Sequence, residues 1–237
     1  MSPDLVERAT RCGAKRVEIA VIPAPPRALT GLAPIASSVE SAWGAEGLRL
    51  LTVARLAPQK GIGLLLDAAA ALQVRAADGE VPAFAWALAG EGPQTRAARE
   101  RVGVENLPVR LLGGREDVPV LLQEADIVIQ TSLWEGQPLI VQEAMRAGAA
   151  VVATDVGGTA LTARGGATLV EPTPDAIADA VAAQLGGLGH SVTVLPVEAV
   201  VVEQAAQAHQ ETQAVLQHQR HADGRDERGQ RMDDGVA

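Results

Sequence analysis

Leu48-Arg49-Leu50-Leu51-Thr52-Val53-Ala54 runs into Arg55-Leu56-Ala57-Pro58-Gln59-Lys60-Gly61, and Ile62 to Ala76 follows as an Ala/Leu-rich stretch. The first segment has the length and composition of a strand buried on both faces. The last has the length of a helix, and Pro58 and Gly61 mark the turn between them. The same alternation continues downstream. Apolar runs at Ala83 to Ala89, Val109 to Leu112, Ile127 to Gln130, Ala150 to Ala153 and Ala167 to Val170 predict strands. Between and after them, Gln94 to Val102, Val118 to Ala125, Leu139 to Ala147 and Pro174 to Leu185 predict helices. Short apolar runs alternating with helices over short connections predict an α/β fold, a Rossmann-like parallel sheet with helices on both faces.

Upstream of Leu48 the pattern differs. Asp4 to Arg11 predicts a short helix and Val17 to Ile22 a strand. Pro23, Pro25, Pro26 and Pro34, with Gly31 and Ser37-Ser38, then predict an extended linker. Downstream, Gly186-Gly187-Leu188-Gly189 is a break, and Val197 to Gln217 predicts a further helix. Arg220 to Asp234 mixes charges of both signs with Gly and is expected to be disordered. The expected organisation is residues 1–46 as the remnant of a preceding domain and hinge or linker, 47–218 as the α/β domain with closing helices, and 219–237 as a disordered charged tail.

Composition excludes several classes of function. The chain has 237 residues and a net charge of -9, so it lacks the basic face that sequence-independent nucleic-acid binding needs. Aromatic residues are 2%, too few for a base-stacking platform. One cysteine, Cys12, excludes an internal disulfide framework and a Cys-based zinc site. The longest apolar stretch, Val81 to Ala89, is strand-sized, and the charged start at Met1 to Arg11 lacks an export signal's apolar core. A cytoplasmic location is the expectation.

An open parallel sheet binds its ligands at the carboxyl ends of its strands, so the chemistry is sought in the loops there. Arg55 ends the first strand and Lys60 stands where the next helix begins, beside Gly61 and Gly63. Two cations at a helix N-terminus suit a diphosphate; equally, they suit a pair of solvated surface charges. Gly61-Ile62-Gly63 and Gly90-Glu91-Gly92 both start a dinucleotide fingerprint, but Leu66 and Thr95 stand where its last glycine belongs. Neither a nicotinamide enzyme nor a P-loop enzyme is supported. After Gln130 comes Ser132-Leu133-Trp134-Glu135-Gly136-Gln137-Pro138-Leu139, leading into a helix with Glu143. Carboxylates suit pairs of sugar hydroxyls. The N–H groups of Leu139 and Ile140, just after Pro138, suit phosphate oxygens.

These residues together resemble a known family. Val53 to Gly61, Leu88-Ala89-Gly90-Glu91-Gly92-Pro93, and Leu112-Gly113 with Asp117-Val118-Pro119 appear in its order. Ser132 to Gly136 running through Glu143-Ala144-Met145, then Ala153-Thr154-Asp155-Val156-Gly157-Gly158, complete the set. The whole is similar to the C-terminal, donor-binding domain of a GT-B glycosyltransferase of family 4, the glycosyl transferases of group 1. The resemblance covers about Arg16 to Gln217. It implies one half of a GT-B fold, a nucleotide-sugar donor, transfer with retention of configuration to a hydroxyl, and neither a cofactor nor a metal. It implies Arg55 and Lys60 on the donor diphosphate and Glu135, with Gly136 and Gln137, on the transferred sugar. Glu143 would hold the ribose hydroxyls, Pro138, Leu139 and Ile140 would frame the phosphate, and Gly90 and Arg115 would border the base. Arg55, Lys60 and Glu135 are the expected catalytic set.

The family's N-terminal acceptor domain, with its Gly-rich loop and histidine, has no counterpart here; the four histidines are His190, His209, His218 and His221. Thr159-Ala160-Leu161-Thr162 replaces the family's usual Pro-Glu or Gly-Glu after Gly157-Gly158. The expected partners are a nucleotide-diphosphate sugar and an acceptor domain in cis or in trans. Nucleic acid is not an expected partner; peripheral membrane association of the full enzyme is compatible with the family. A chain without the acceptor half is expected to be feeble or inactive in transfer. The alternatives are a non-catalytic nucleotide-sugar binding module and a truncated gene product.

Overall fold

The computed structural model describes residues 3–25, 35–44 and 47–187. In chain order these form α1 (Pro3–Arg11), α2 (Ile35–Trp43), β1 (Leu48–Val53), α3 (Ile62–Ala77), β2 (Phe84–Ala89), α4 (Thr95–Glu105) and β3 (Val109–Gly113). They continue as α5 (Val118–Glu124), β4 (Ile127–Gln130), α6 (Leu139–Ala147), β5 (Ala150–Thr154), α7 (Thr159–Ala163), β6 (Thr168–Val170) and α8 (Pro174–Gly187). One turn of 3-10 helix, Pro58–Lys60, precedes α3.

The six strands form one sheet in the order β3-β2-β1-β4-β5-β6. All of the pairings are parallel. The central strand β1 sets Leu50 beside Trp86 on one side and Ile127 on the other. Successive residues point to opposite faces of a strand, so each apolar run supplies two cores. Leu50, Trp86, Leu88, Ile127 and Ile129 pack on one face with Leu65 and Leu72 of α3 and Ile177 of α8. Leu51, Ala87, Ala89, Val128 and Val151 pack on the other with Trp43 of α2, Leu121 of α5 and Val141 and Ala144 of α6. Burial on both sides is why the runs carry no polar alternation. The expected α/β Rossmann-like sheet with helices on both faces is therefore the observed fold, with element ends shifted by a few residues.

Two expectations upstream of β1 are corrected. Val17 to Ile22 is not a strand. The end of this segment is held by side chains: Ile22 N–H donates to Gln137 Oε1 (2.9 Å) and Ala24 N–H to Gln142 Oε1 (2.9 Å). Gln142 Nε2 donates to the carbonyl of Ile22 (3.1 Å), as does Gln137 Nε2. The linker reading also fails at its far end, where Ile35–Trp43 is helix α2. Trp43 explains this: its ring is buried and its Nε1 donates to the carbonyl of Leu50 (2.8 Å). Tertiary burial overrides the weak local pattern left by the flanking Pro and Gly residues.

No helix among the described residues is long and apolar enough to cross a membrane. The proline-rich stretch at 26–34, the expected helix Val197 to Gln217, the charged tail and all four histidines lie outside the described residues.

Candidate functional site

The strand order places the site. From β1 the chain moves outward through β2 and β3, then returns to the other side of β1 and moves outward through β4, β5 and β6. The connections after β1 and β4 therefore leave in opposite directions and open a crevice at the carboxyl ends of those strands. Arg55–Gly61 and Thr131–Pro138 are the two loops that flank it.

The loops are stitched together through their backbone carbonyls. Leu133 N–H donates to the carbonyl of Gln59 (2.8 Å), Gln59 Nε2 to that of Trp134 (2.8 Å), and Thr131 Oγ1 to that of Lys60 (3.0 Å). Gly61 sits at φ 63°, and a Cβ there would lie 2.0 Å from the carbonyl oxygen of Thr131. Only glycine permits both that backbone and that approach. Lys60 is thereby fixed at the crevice while Arg55, at the end of β1, stays exposed.

Lys60 Nζ donates to Glu135 Oε1 at 2.5 Å, and Ser132 Oγ donates to the same oxygen at 2.6 Å. The Glu135 side chain is 7% exposed and that of Lys60 25%. A third loop, after β5, completes the support: Gly158 N–H donates to the carbonyl of Glu135 (2.8 Å). Gly157, at φ 56°, would bring a Cβ to 2.0 Å from that same carbonyl oxygen. Loops from three strand ends thus converge on Glu135, whose buried carboxylate pairs with the half-buried Lys60 ammonium.

Beyond Glu135 the chain enters α6. Pro138 precedes the helix in extended conformation, so the N–H groups of Leu139 and Ile140 open the first turn, which lacks intrahelical partners. That end of the helix carries partial positive charge. Glu143 is buried about one turn further in. Gly136 is half-buried within the loop.

The remaining expected site residues have other engagements. The Gln137 amide grips the backbone of Ile22. Gly90 N–H donates to the carbonyl of Gly113 (2.7 Å), joining the ends of β2 and β3. Arg115 makes a two-pronged contact with Asp117, Nε to Oδ1 at 2.7 Å and Nη2 to Oδ2 at 2.5 Å. Its Nη1 also donates to Ser41 Oγ (3.0 Å), and Ser38 Oγ donates to Asp117 Oδ2 (2.5 Å). The hydrogen bonds between them raise the pKa of the Arg115 guanidinium and depress that of the Asp117 carboxyl, against the opposing effect of burial. Among the described residues, Lys60 and Glu135 meet directly, Arg55 shares the loop of Lys60, and Arg115 is tied to α2 instead.

Sequence reasoning missed Ser132 and the Gln130–Thr154 bridge. Gln130 Oε1 accepts from Thr154 N–H (3.2 Å), and Thr154 Oγ1 donates to the carbonyl of Ser132 (2.6 Å). The spacing of Ser132 three residues before Glu135 was the available signal, since a tight loop can bring such a hydroxyl back onto the carboxylate. Among the described residues, no three or more His, Cys, Asp or Glu side chains cluster as metal ligands.

Residues 47–186 match the family described as glycosyl transferases group 1. A UDP-Gal:alpha-D-GlcNAc-diphosphoundecaprenol alpha-1,3-galactosyltransferase of Escherichia coli is 30% identical over 109 residues, which are 45% of this chain and 27% of that enzyme. The fold matches TarM of S. aureus, solved with Fondaparinux, alpha-GlcNAc-glycerol and UDP, at a TM-score of 0.58 and 18% identity over 76% of this chain and 35% of that one. It matches HepE of Anabaena, solved with UDP and glucose, at a TM-score of 0.56 and 21% identity over 72% of this chain and 48% of that one. The chain thus spans under half the length of each of these relatives. With the matched region covering the whole sheet and all three loops around Glu135, this chain belongs to the glycosyl transferases of group 1.

Proposed function

We propose that this chain is the donor-binding half of a retaining glycosyltransferase that moves a sugar from a nucleotide-diphosphate sugar to a hydroxyl. The observation that carries the reading is the convergence of Lys60 on Glu135 at the crevice between β1 and β4, beside the N-terminus of α6. An anionic diphosphate is met there by the Lys60 ammonium, the Arg55 guanidinium and the first N–H groups of α6. Departure of the nucleoside diphosphate develops negative charge on its phosphate, and these groups stabilise it without reorganising. We assign that neutralisation to these side chains and not to a metal ion. Glu135 faces the transferred sugar, with Gly136 and Gln137 beside it, and Glu143 takes the ribose hydroxyls. Gly90 borders the base. The galactosyltransferase of Escherichia coli uses UDP-galactose by its name, and TarM and HepE were solved with UDP. These relatives make a uridine donor the first to try. The full enzyme works in the cytoplasm, with an acceptor domain in cis or in trans and a surface contact with membrane where its acceptor is lipid-linked.

Calorimetric titration with UDP, GDP and ADP and their hexose conjugates tests the reading. One of the three nucleotide series should bind, and added salt should weaken it. A charge-assisted hydrogen bond is worth roughly 1.5–3 kcal/mol, so Lys60→Ala should weaken the diphosphate by about 10- to 100-fold. Unchanged affinity in the Arg55→Ala, Lys60→Ala double variant, with its melting temperature preserved, would exclude the diphosphate assignment.

A further inference from the structure

Glu135 Oε1 accepts two hydrogen bonds, from Lys60 Nζ at 2.5 Å and Ser132 Oγ at 2.6 Å. The two donors differ in freedom. Lys60 is an ammonium on a flexible stem, partly open to the crevice, with three N–H groups it can redirect. Ser132 is 1% exposed, and its short side chain carries a single hydroxyl already given to that oxygen. Its carbonyl is held by Thr154 Oγ1 (2.6 Å), and Thr154 is held by Gln130 Oε1. The far side of Glu135 is fixed by Gly158 N–H on its carbonyl.

A diphosphate arriving in the crevice offers Lys60 more negative charge than one carboxylate does. Lys60 then shares or leaves its contact with Glu135. A carboxylate buried in the protein and deprived of its cation is costly unless another donor satisfies it. Ser132 is the donor already in place. We propose that Ser132 is a positioning residue of the donor site: its buried hydroxyl keeps the Glu135 carboxylate in one orientation for the donor sugar while Lys60 turns to the diphosphate. The inference rests on the roles given to Lys60 and Glu135 above.

The readout is the sugar increment, the ratio of the dissociation constant of a nucleoside diphosphate to that of its sugar conjugate. UDP is compared with UDP-galactose and UDP-glucose, GDP with GDP-mannose, and ADP with ADP-glucose, all on the full chain. Ser132→Ala should lower the increment by about three- to tenfold, the worth of one hydrogen bond, while the bare diphosphate changes by less than about twofold. Ser132→Cys, nearly the same size with a weak S–H donor, should fold and show the same selective loss. Ser132→Ala added to Glu135→Gln should cost no more than Glu135→Gln alone, because the hydroxyl acts through that carboxylate. A merely structural serine would instead weaken diphosphate and conjugate alike, with additive losses, and that result overturns the proposal. An increment that survives Ser132→Ala but is abolished by Glu135→Gln also overturns it while sparing the role of Glu135. An increment that survives Glu135→Gln, or is absent from the unaltered chain, removes the role of Glu135 itself.

Discussion

At the scale of the residue, the site depends on a few positions where only one side chain fits. Gly61 lets the first loop pass against the carbonyl of Thr131, and Lys60 precedes it by one residue. A side chain at 61 would separate the loops and carry Lys60 away from Glu135 without touching either charge. Glu143 is a different case. It is buried on α6, where a helical glutamate is ordinarily solvated, so its carboxylate has a role inside the protein. If that role is to accept the two ribose hydroxyls, Glu143→Gln should weaken a ribonucleotide by about tenfold, the worth of a hydrogen bond to a charged group. It should change the 2'-deoxy analogue much less. Titration with UDP and 2'-deoxy-UDP checks this, and equal losses on both would make Glu143 a structural carboxylate.

At the scale of the element, α2 shows how a helix with little local support is docked. Its Trp43 is buried against the sheet, and Ser38 and Ser41 are tied to the Arg115–Asp117 pair at the start of α5. The Asp117 carboxyl is held below the usual carboxylate range, first by its hydrogen bonds from Arg115 and then by Ser38. A carboxyl with a depressed folded pKa contributes stability above its unfolded pKa, near 4, and loses it as pH falls through the folded value. Acid should therefore release α2, seen as a red shift of Trp43 fluorescence below about pH 4. Asp117→Asn should show part of that shift already at pH 7, and Trp43→Phe should lack it. Matching acid profiles for Asp117→Asn and the unaltered chain would remove Asp117 as the cause. The same region fixes the segment at Ile22 and Ala24 through Gln137 and Gln142, so both approaches to β1 are pinned by side chains from later elements.

At the scale of the whole molecule, the chain covers 35% and 48% of the lengths of TarM and HepE. The loop that carries Glu135 also exposes Leu133 and Trp134, and Leu139 begins α6 with an exposed side chain. A crevice open to water loses the gain in electrostatic strength that closure brings, and loses contacts to the donor. The isolated chain should bind its nucleotide sugar at roughly 0.1–1 mM, about 4–5.5 kcal/mol, and transfer nothing to added acceptors. An acceptor domain supplied in trans or fused upstream of Val17 should raise both affinity and turnover. Calorimetry and a product assay with and without that domain check this. Efficient transfer by the chain alone would show that the open crevice is sufficient.

The sequence by itself determined the sheet. Leu48 to Ala54, Ile127 to Gln130 and their partners are predominantly apolar because both faces of a parallel strand are covered, and that pattern is legible without coordinates. It also singled out the loops after β1 and β4, with Arg55, Lys60 and Glu135, as the place to look for a site. Only the tertiary structure decided which of these residues meet. Lys60 and Glu135 are 75 residues apart, and their contact follows from β1 lying beside β4 instead of β3. The engagement of Arg115 with α2 and the amide grip on Ile22 arise the same way. Each is a hydrogen bond between side chains or backbones brought together by packing, and a local pattern of apolar spacing carries no information about such pairs.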